Sequence, residues 1–236
     1  MKNQVLTLLN GETISYLLEH RARRTVGLKI TENGLVVHAP TRIFAFQLNQ
    51  ILLDKSGWIL SKLQHRAANQ VEKMAWVDGA HLYYLGQTIQ LHILENSSNK
   101  SPQFESNKLT LATRSPNNYG LISRKVIAWY KKIAAVDFSR RLEILAAKLG
   151  VNAPPFTLSN AKSRWGSCNS RGEVRLNWRL LQAPPHIINY VICHELAHLK
   201  EMNHSAKFWA VVEQLFPSYK LTEKELKALS PHLHRL

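Results

Sequence analysis

An α+β fold is predicted for this 236-residue chain by three features of its pattern. Short stretches of alternating apolar residues meet at turn dipeptides in the first half. A long helical pattern opens the second half. Beyond it, two histidines four residues apart fall inside another helical stretch that follows short strands. These features divide the chain into an N-terminal hairpin-and-helix region, 1–115, and a C-terminal region, 116–236. In the latter the histidine-bearing helix is expected to pack on a small antiparallel sheet.

Val26, Leu28 and Ile30 alternate with Gly27 and Lys29, as in a half-buried strand, and Asn33-Gly34 turns the chain into Leu35-Val36-Val37. Leu48, Ile51, Leu52, Ile59 and Leu63 then give a helical spacing from about Phe44 to Ala68, weakened at Gly57. His81–Leu85 and Thr88–Leu94 flank Gly86-Gln87, which suits a type II′ turn. The polar stretch Glu95–Ser106 reads as a loop, and Leu109–Ala112 as a short strand. Ser115–Gly120 marks the division between the regions. No internal repeat is evident.

From Ile122 to Leu149 runs a long amphipathic helix, stopped by Gly150. Arg124, Lys125, Lys131, Lys132, Arg140, Arg141 and Lys148 are expected to form a basic stripe on its solvent face. Phe156–Ser159 reads as a strand, and Arg164–Cys168 with Glu173–Asn177 as a hairpin. Ala183-Pro184-Pro185 opens the next helix, since proline is tolerated in a first turn. Ser205 caps a helix that reaches Phe216, and Thr222 with Glu225 forms a capping box for a last one.

Composition narrows the chemistry. Hydrophobic residues are 45% and charged residues 20%, an ordinary globular balance. Two cysteines, Cys168 and Cys193, rule out a disulfide framework and a cysteine-only zinc cage. The N-terminus lacks the apolar run of a signal peptide, and no stretch is long and apolar enough for a membrane span, so a cytoplasmic protein is expected. Lys and Arg number 31 against 16 Asp and Glu, a net charge of +15. Such a surface suits a polyanion, and nucleic acid is the partner it suggests.

The chemistry is carried by His194-Glu195-Leu196-Ala197-His198, the pattern H-E-x-x-H within a helix. Four residues of helix bring His198 to ~40° around and ~6 Å along from His194. Two imidazoles on one face then grip one zinc ion. Glu195 stands ~100° off that line, where it reaches water on the metal as a general base. Ile188, Ile192, Leu196 and Leu199 form the opposite stripe, which faces the core.

A catalytic zinc takes three protein ligands and keeps a fourth position open. His204, six residues beyond His198, is the candidate third ligand, with Glu201 and Glu213 as rivals. The turn that returns His204 to the metal is expected to use a left-handed Asn203 after a helix ending near Met202. The alternative is a nucleic-acid-binding protein whose zinc is mainly structural. Against it, Glu195 would have no role and a structural zinc normally fills four protein ligands.

The stretch His194–Leu199, with Asn203-His204-Ser205 and Phe208-Trp209, resembles the YgjP-like family of zinc metallopeptidases, relatives of the SprT-like and WLM metalloproteases. Ser163–Cys168, Leu176-Asn177-Trp178, Arg23-Arg24-Thr25 and Val37-His38-Ala39-Pro40 are similar to the same family. The resemblance spans nearly the whole chain and departs from the pattern chiefly in the length of the Glu95–Ser106 loop. It implies a zincin-like core, His194, His198 and His204 as ligands of Zn2+, Glu195 as the catalytic residue, and protein or peptide substrates. The SprT-like relatives add the expectation of a peptidase acting on nucleic-acid-associated proteins.

Overall fold

The computed structural model describes residues 2–31, 33–68, 74–95 and 101–236. Two compact units result, Met1–Gln70 and Val71–Leu236. The division therefore falls some 45 residues before the expected one at 115. The reason is packing. The strands between residues 81 and 113 bury Leu82, Ile89, Leu91, Leu109 and Leu111 in one core with Ile122, Val126 and Trp129 of the long helix. A cut at 115 would pass through that core.

In the first unit β1 (Lys2–Thr7), β2 (Thr13–Arg21), β3 (Gly27–Thr31) and β4 (Gly34–Pro40) form a sheet ordered β1-β2-β4-β3. The outer pairs are antiparallel and β2 with β4 is parallel. The expected single helix is two, α1 (Ala45–Asp54) and α2 (Ser56–Ala68), broken at Lys55. Their buried Leu48, Leu52 and Ile59 close a core with Ile14, Tyr16, Leu35 and Val37.

The second unit begins with β5 (His81–Tyr84), β6 (Gln87–Glu95), β7 (Gln103–Glu105) and β8 (Lys108–Thr113), ordered β5-β6-β8-β7. Part of the expected Glu95–Ser106 loop lies outside the described residues, and its end is the strand β7. Tyr84 pairs with Gln87, so the turn is Leu85-Gly86 rather than Gly86-Gln87. Both residues have positive φ, 49° and 82°, which makes the turn type I′ instead of II′. Its amides donate to the carbonyls of Leu181 and Gln182 at 2.8 and 3.0 Å, and that anchorage holds Leu85 in an unfavourable region.

The helix α3 (Tyr119–Leu149) is capped by Asn118, whose side chain accepts from the Leu121 amide, and ends at left-handed Gly150. Its buried residues Val126, Tyr130, Ala134, Phe138 and Leu142 recur every four positions. Each such step drifts ~40° around the axis, so the buried stripe spirals. Tyr130 donates to the carbonyl of Tyr83 at the sheet, while Arg141 reaches Asn189 of the next helix.

Beyond α3, β9 (Phe156–Ser159), β10 (Gly166–Cys168) and β11 (Val174–Asn177) form a sheet ordered β10-β11-β9. It is mixed, antiparallel between β10 and β11 and parallel between β11 and β9. This sheet and α3 support α4 (Pro185–Ala197), which carries the histidine pair. The remaining helices are α5 (Ala206–Leu215) and α6 (Tyr219–Leu233). α6 starts three residues before Thr222, whose hydroxyl instead bonds the Ser218 carbonyl within the helix, so the expected capping box is not used. No helix among the described residues is long and apolar enough to cross a membrane.

Candidate metal centre

Pro185 occupies the first turn of α4, and Ile188, Ile192 and Leu196 are fully buried on its core side. His194 and His198 therefore share the opposite face. The helix ends at Ala197 rather than near Met202, but His198 keeps helical angles (φ −63°, ψ −20°), so the four-residue relation survives. Their ring centroids lie 5.3 Å apart.

The chain then reverses in a different way from that expected. Leu199 donates to Leu196, and Lys200 and Glu201 both donate to the carbonyl of Ala197. Ser205 donates to the Asn203 carbonyl at 2.7 Å. Asn203 is not among the residues with positive φ, so the turn needs no left-handed asparagine. These tight backbone bonds place His204 just ahead of Ser205, the residue that caps α5.

The outcome is convergence. Ligand atoms of His194, His198 and His204 all lie within 4.8 Å of one another. The two Nε2 atoms of His194 and His204 are 3.1 Å apart. Tetrahedral zinc with Zn–N bonds of ~2.0–2.1 Å needs nitrogens ~3.3 Å apart, a spacing that the His194–His204 pair approaches. His198 uses Nδ1 to donate to the carbonyl of Glu201 at 3.2 Å, which leaves Nε2 free to ligate. Glu201 thus enters through its backbone. With α4 already ended, its carboxylate is not carried around beneath His198, and neither it nor that of Glu213 joins the cluster found among the described residues.

Phe208 of α5 is fully buried beneath the three imidazoles, with ring centroids 5.0, 4.6 and 4.7 Å from His194, His198 and His204. Trp209 stacks beside His204 at 6.0 Å. In this apolar setting burial, helped by the two neighbouring imidazoles, pushes His194 down to about 4. Burial likewise lowers His198. Neutral imidazole is the form that ligates a cation, so the surroundings favour it.

Glu195 is 4% exposed. Its burial drives the carboxyl up to about 8, opposed by the charge of Arg164. Room for it exists because residue 166 is glycine. A Cβ there would stand 2.7 Å from both Cγ and Cδ of Glu195. The wall that contains Gly166 is held by fully buried Asn177. Asn177 donates its side-chain amide to the carbonyls of Ala161 and Arg164 at 2.7 and 3.4 Å, and its backbone amide to Trp165 at 2.8 Å. Trp165 is fixed from the far side by the Ser230 hydroxyl, 3.0 Å from Nε1, and by stacking on His234 at 4.4 Å. Sequence reasoning offered no role for Gly166, Asn177 or Ser230. A glycine and an asparagine close to two tryptophans were the available signal.

Other singled-out residues settle elsewhere. Cys168 and Cys193 are unpaired, and burial pushes the Cys193 thiol up to about 12. Trp178 is a core residue, with the Arg179 guanidinium over its ring at 4.4 Å. The basic stripe on α3 is not continuous. Arg141 is turned inward, bonded to Asp137 at 2.6 Å and Asn189 at 2.8 Å, because the buried stripe has rotated to its position. Arg171 lies 3.6 Å from Glu173.

The model of a family described as "YgjP-like, metallopeptidase domain" matches residues 24–229. Among solved structures the chain is similar to the metallopeptidase zymogen abylysin of Pyrococcus abyssi. That similarity has 28% identity and a TM-score of 0.37, over 39% of this chain and 92% of the other. No curated protein matches.

Proposed function

The chain belongs to the YgjP-like metallopeptidase family, and from that premise we propose that it is a zinc-dependent peptidase whose general base is Glu195. The observation that carries the reading is the convergence of His194, His198 and His204 within 4.8 Å, beside a carboxylate that lines the same cavity as His194. Three imidazoles leave a fourth position of a tetrahedral ion for water or substrate, whereas a structural zinc would be closed by a fourth protein ligand.

Held by His194, His198 and His204, a zinc ion would supply a Lewis acid, able to lower the pKa of a water toward ~7 and to polarise a carbonyl. Glu195 accepts the proton of the attacking water and returns it to the leaving amine. Its enclosure against Gly166 keeps bulk water from that proton and fixes the carboxylate's direction. Glu201 orients His198 through its carbonyl, and Phe208 fixes the planes of all three rings. The substrate is an extended segment of protein, and β10, the edge strand of its sheet, offers unpaired backbone groups next to Glu195 for it to pair with. The two unpaired cysteines suit a cytoplasmic setting. An accompanying nucleic-acid contact is supported by the net charge of +15.

The test measures metal content and peptide cleavage on the same samples. Wild type is expected to hold one zinc and cleave. His194→Ala, His198→Ala and His204→Ala each lose the metal. Glu195→Gln keeps it and loses at least about 10²-fold in turnover, the scale of general-base catalysis. Undiminished cleavage by Glu195→Gln would overturn the mechanism, and full zinc retention by His204→Ala would overturn the ligand set.

A further inference from the structure

A cavity of about 250 Å³ opens beside the histidine cluster, with His194 and Glu195 in its lining. Its remaining walls come from three directions. Trp165 stands at one side, Tyr190 and Val191 of α4 at another, and Leu226 of α6 closes the third. The α6 residues that reach it, Glu223, Leu226, Lys227 and Ser230, are spaced three and four apart and so occupy one face of that helix.

The polar groups that α6 contributes already have partners. The Ser230 hydroxyl donates to the Leu226 carbonyl at 2.7 Å and accepts from Trp165 Nε1 at 3.0 Å. Glu223 and Lys227 pair with each other at 2.7 Å, with side chains 37% and 72% exposed, which puts them at the rim. Apart from His194 and Glu195, which the chemistry engages, the surface left for an occupant is Gly166, the indole of Trp165, the ring of Tyr190, Val191 and Leu226. A charged occupant would give up water at these apolar walls and find the rim charges already paired with each other, while Glu195 is engaged by the attacking water. Size points the same way. A cavity of roughly 150 Å³ holds a benzene ring, so this one has room for a phenyl, isobutyl or thioether side chain. Trp165 is held at two points, by Ser230 and by His234, so the pocket is formed before a ligand arrives.

We propose that this cavity is a specificity pocket, that it takes one bulky uncharged apolar side chain of the substrate adjoining the scissile bond, and that α6 is the wall that selects it. The proposal rests on the peptidase reading for its occupant but not for its chemistry, and it is tested by binding as well as by turnover.

The probe is a series of hydroxamic acids on the zinc-loaded full chain. Acetohydroxamate is compared with analogues whose neighbouring carbon bears isobutyl, benzyl, carboxymethyl or aminobutyl groups, with affinity read by calorimetry. The isobutyl and benzyl compounds should bind at least about tenfold tighter than acetohydroxamate, the scale of filling an apolar pocket, and the charged ones should gain nothing. In Leu226→Trp, which fills the cavity, the ratio of benzyl to methyl affinity should fall toward one. In Leu226→Ala, which widens it, a naphthylmethyl analogue should gain on benzyl. Ratios within one sample are independent of the fraction folded. Cleavage of a mixed peptide pool should show the same preference at one position beside the cut. A flat hydroxamate series, a preference for a charged group, or ratios unchanged in both variants would overturn the pocket. Discrimination among hydroxamates with no peptide cleaved would support the pocket and overturn the peptidase reading.

Discussion

The sheets β1-β2-β4-β3 and β5-β6-β8-β7 are wired alike. Each is two antiparallel hairpins joined by a parallel pair between their second and fourth strands, and each is followed by helix. Their fates differ. The first is closed by α1 and α2, of 10 and 13 residues, and forms a core of its own. The second is followed by the 31-residue α3, which covers the sheet with Val126 and Tyr130 and then runs on to α4. At ~1.5 Å per residue that helix is ~46 Å long, more than one small sheet needs. The strand order thus does not decide whether a sheet stands alone or joins the metal-bearing core. The length of the following helix and the drift of its buried stripe decide it.

The most severe way to break this comparison is truncation. A chain of residues 71–236 should fold and hold zinc as the full chain does, because its core is complete. A chain of residues 116–236 removes Leu82, Ile89, Leu91, Leu109 and Leu111 from beneath α3 and should neither melt cooperatively nor retain metal. Thermal melting and zinc content check both. A cooperative, zinc-loaded 116–236 would show that the second sheet is as separable as the first.

The second prediction contrasts a glycine from each unit. Gly34 begins β4 with φ +101°, and a Cβ there would meet nothing within 4 Å. Gly34→Ala should cost about 1–2 kcal/mol of backbone strain and leave the metal centre untouched. At Gly166 the backbone is unexceptional and the neighbour is the obstacle, since a Cβ would stand 2.7 Å from Glu195 Cδ. Gly166→Ala must displace that carboxylate by an ångström or more, and should lower turnover about 10²-fold with zinc retained. Steady-state kinetics with metal analysis checks this. Equal activity in both variants would mean that Glu195 has slack.

Legibility in the sequence followed the same division between local pattern and packing. The helix-borne pair His194 and His198 is readable because four residues of helix fix their geometry whatever surrounds them. His204 is readable only by spacing, and its turn was expected through Asn203 when backbone bonds to Ala197 and Asn203 do the work. Glu195 is plain in the motif, but the glycine that makes room for it lies 29 residues earlier and means nothing until the wall is folded. The sequence reading assigns no strand before Val26, although Leu6 ahead of Asn10-Gly11, and Ile14 and Tyr16 beyond it, take the buried positions of β1 and β2. The likeness of the two sheets is invisible because it resides in pairing sense, and no residue pattern repeats with it.

The last prediction sharpens the comparison through one ion pair from each unit. Arg21 and Glu19 meet at 2.7 Å, with the Arg21 side chain 59% exposed. Arg141 and Asp137 meet at 2.6 Å with side chains 12% and 13% exposed, and the guanidinium also donates to Asn189 of α4. Water screens the first pair, so Arg21→Ala should leave stability nearly unchanged. Arg141→Ala leaves Asp137 half-enclosed with the weaker hold of Arg140 at 3.5 Å, and strips Asn189 of a donor. Charged hydrogen bonds in such surroundings contribute about 1.5–3 kcal/mol, and that is the expected loss. Urea unfolding with double-mutant cycles, Arg21 with Glu19 and Arg141 with Asp137, isolates the two coupling energies. Because Arg141 ties α3 to α4, its loss should also weaken zinc retention in urea, whereas loss of Arg21 should not. Equal couplings would place Arg141 back on an open basic face, and would return α3 to the role of a surface helix.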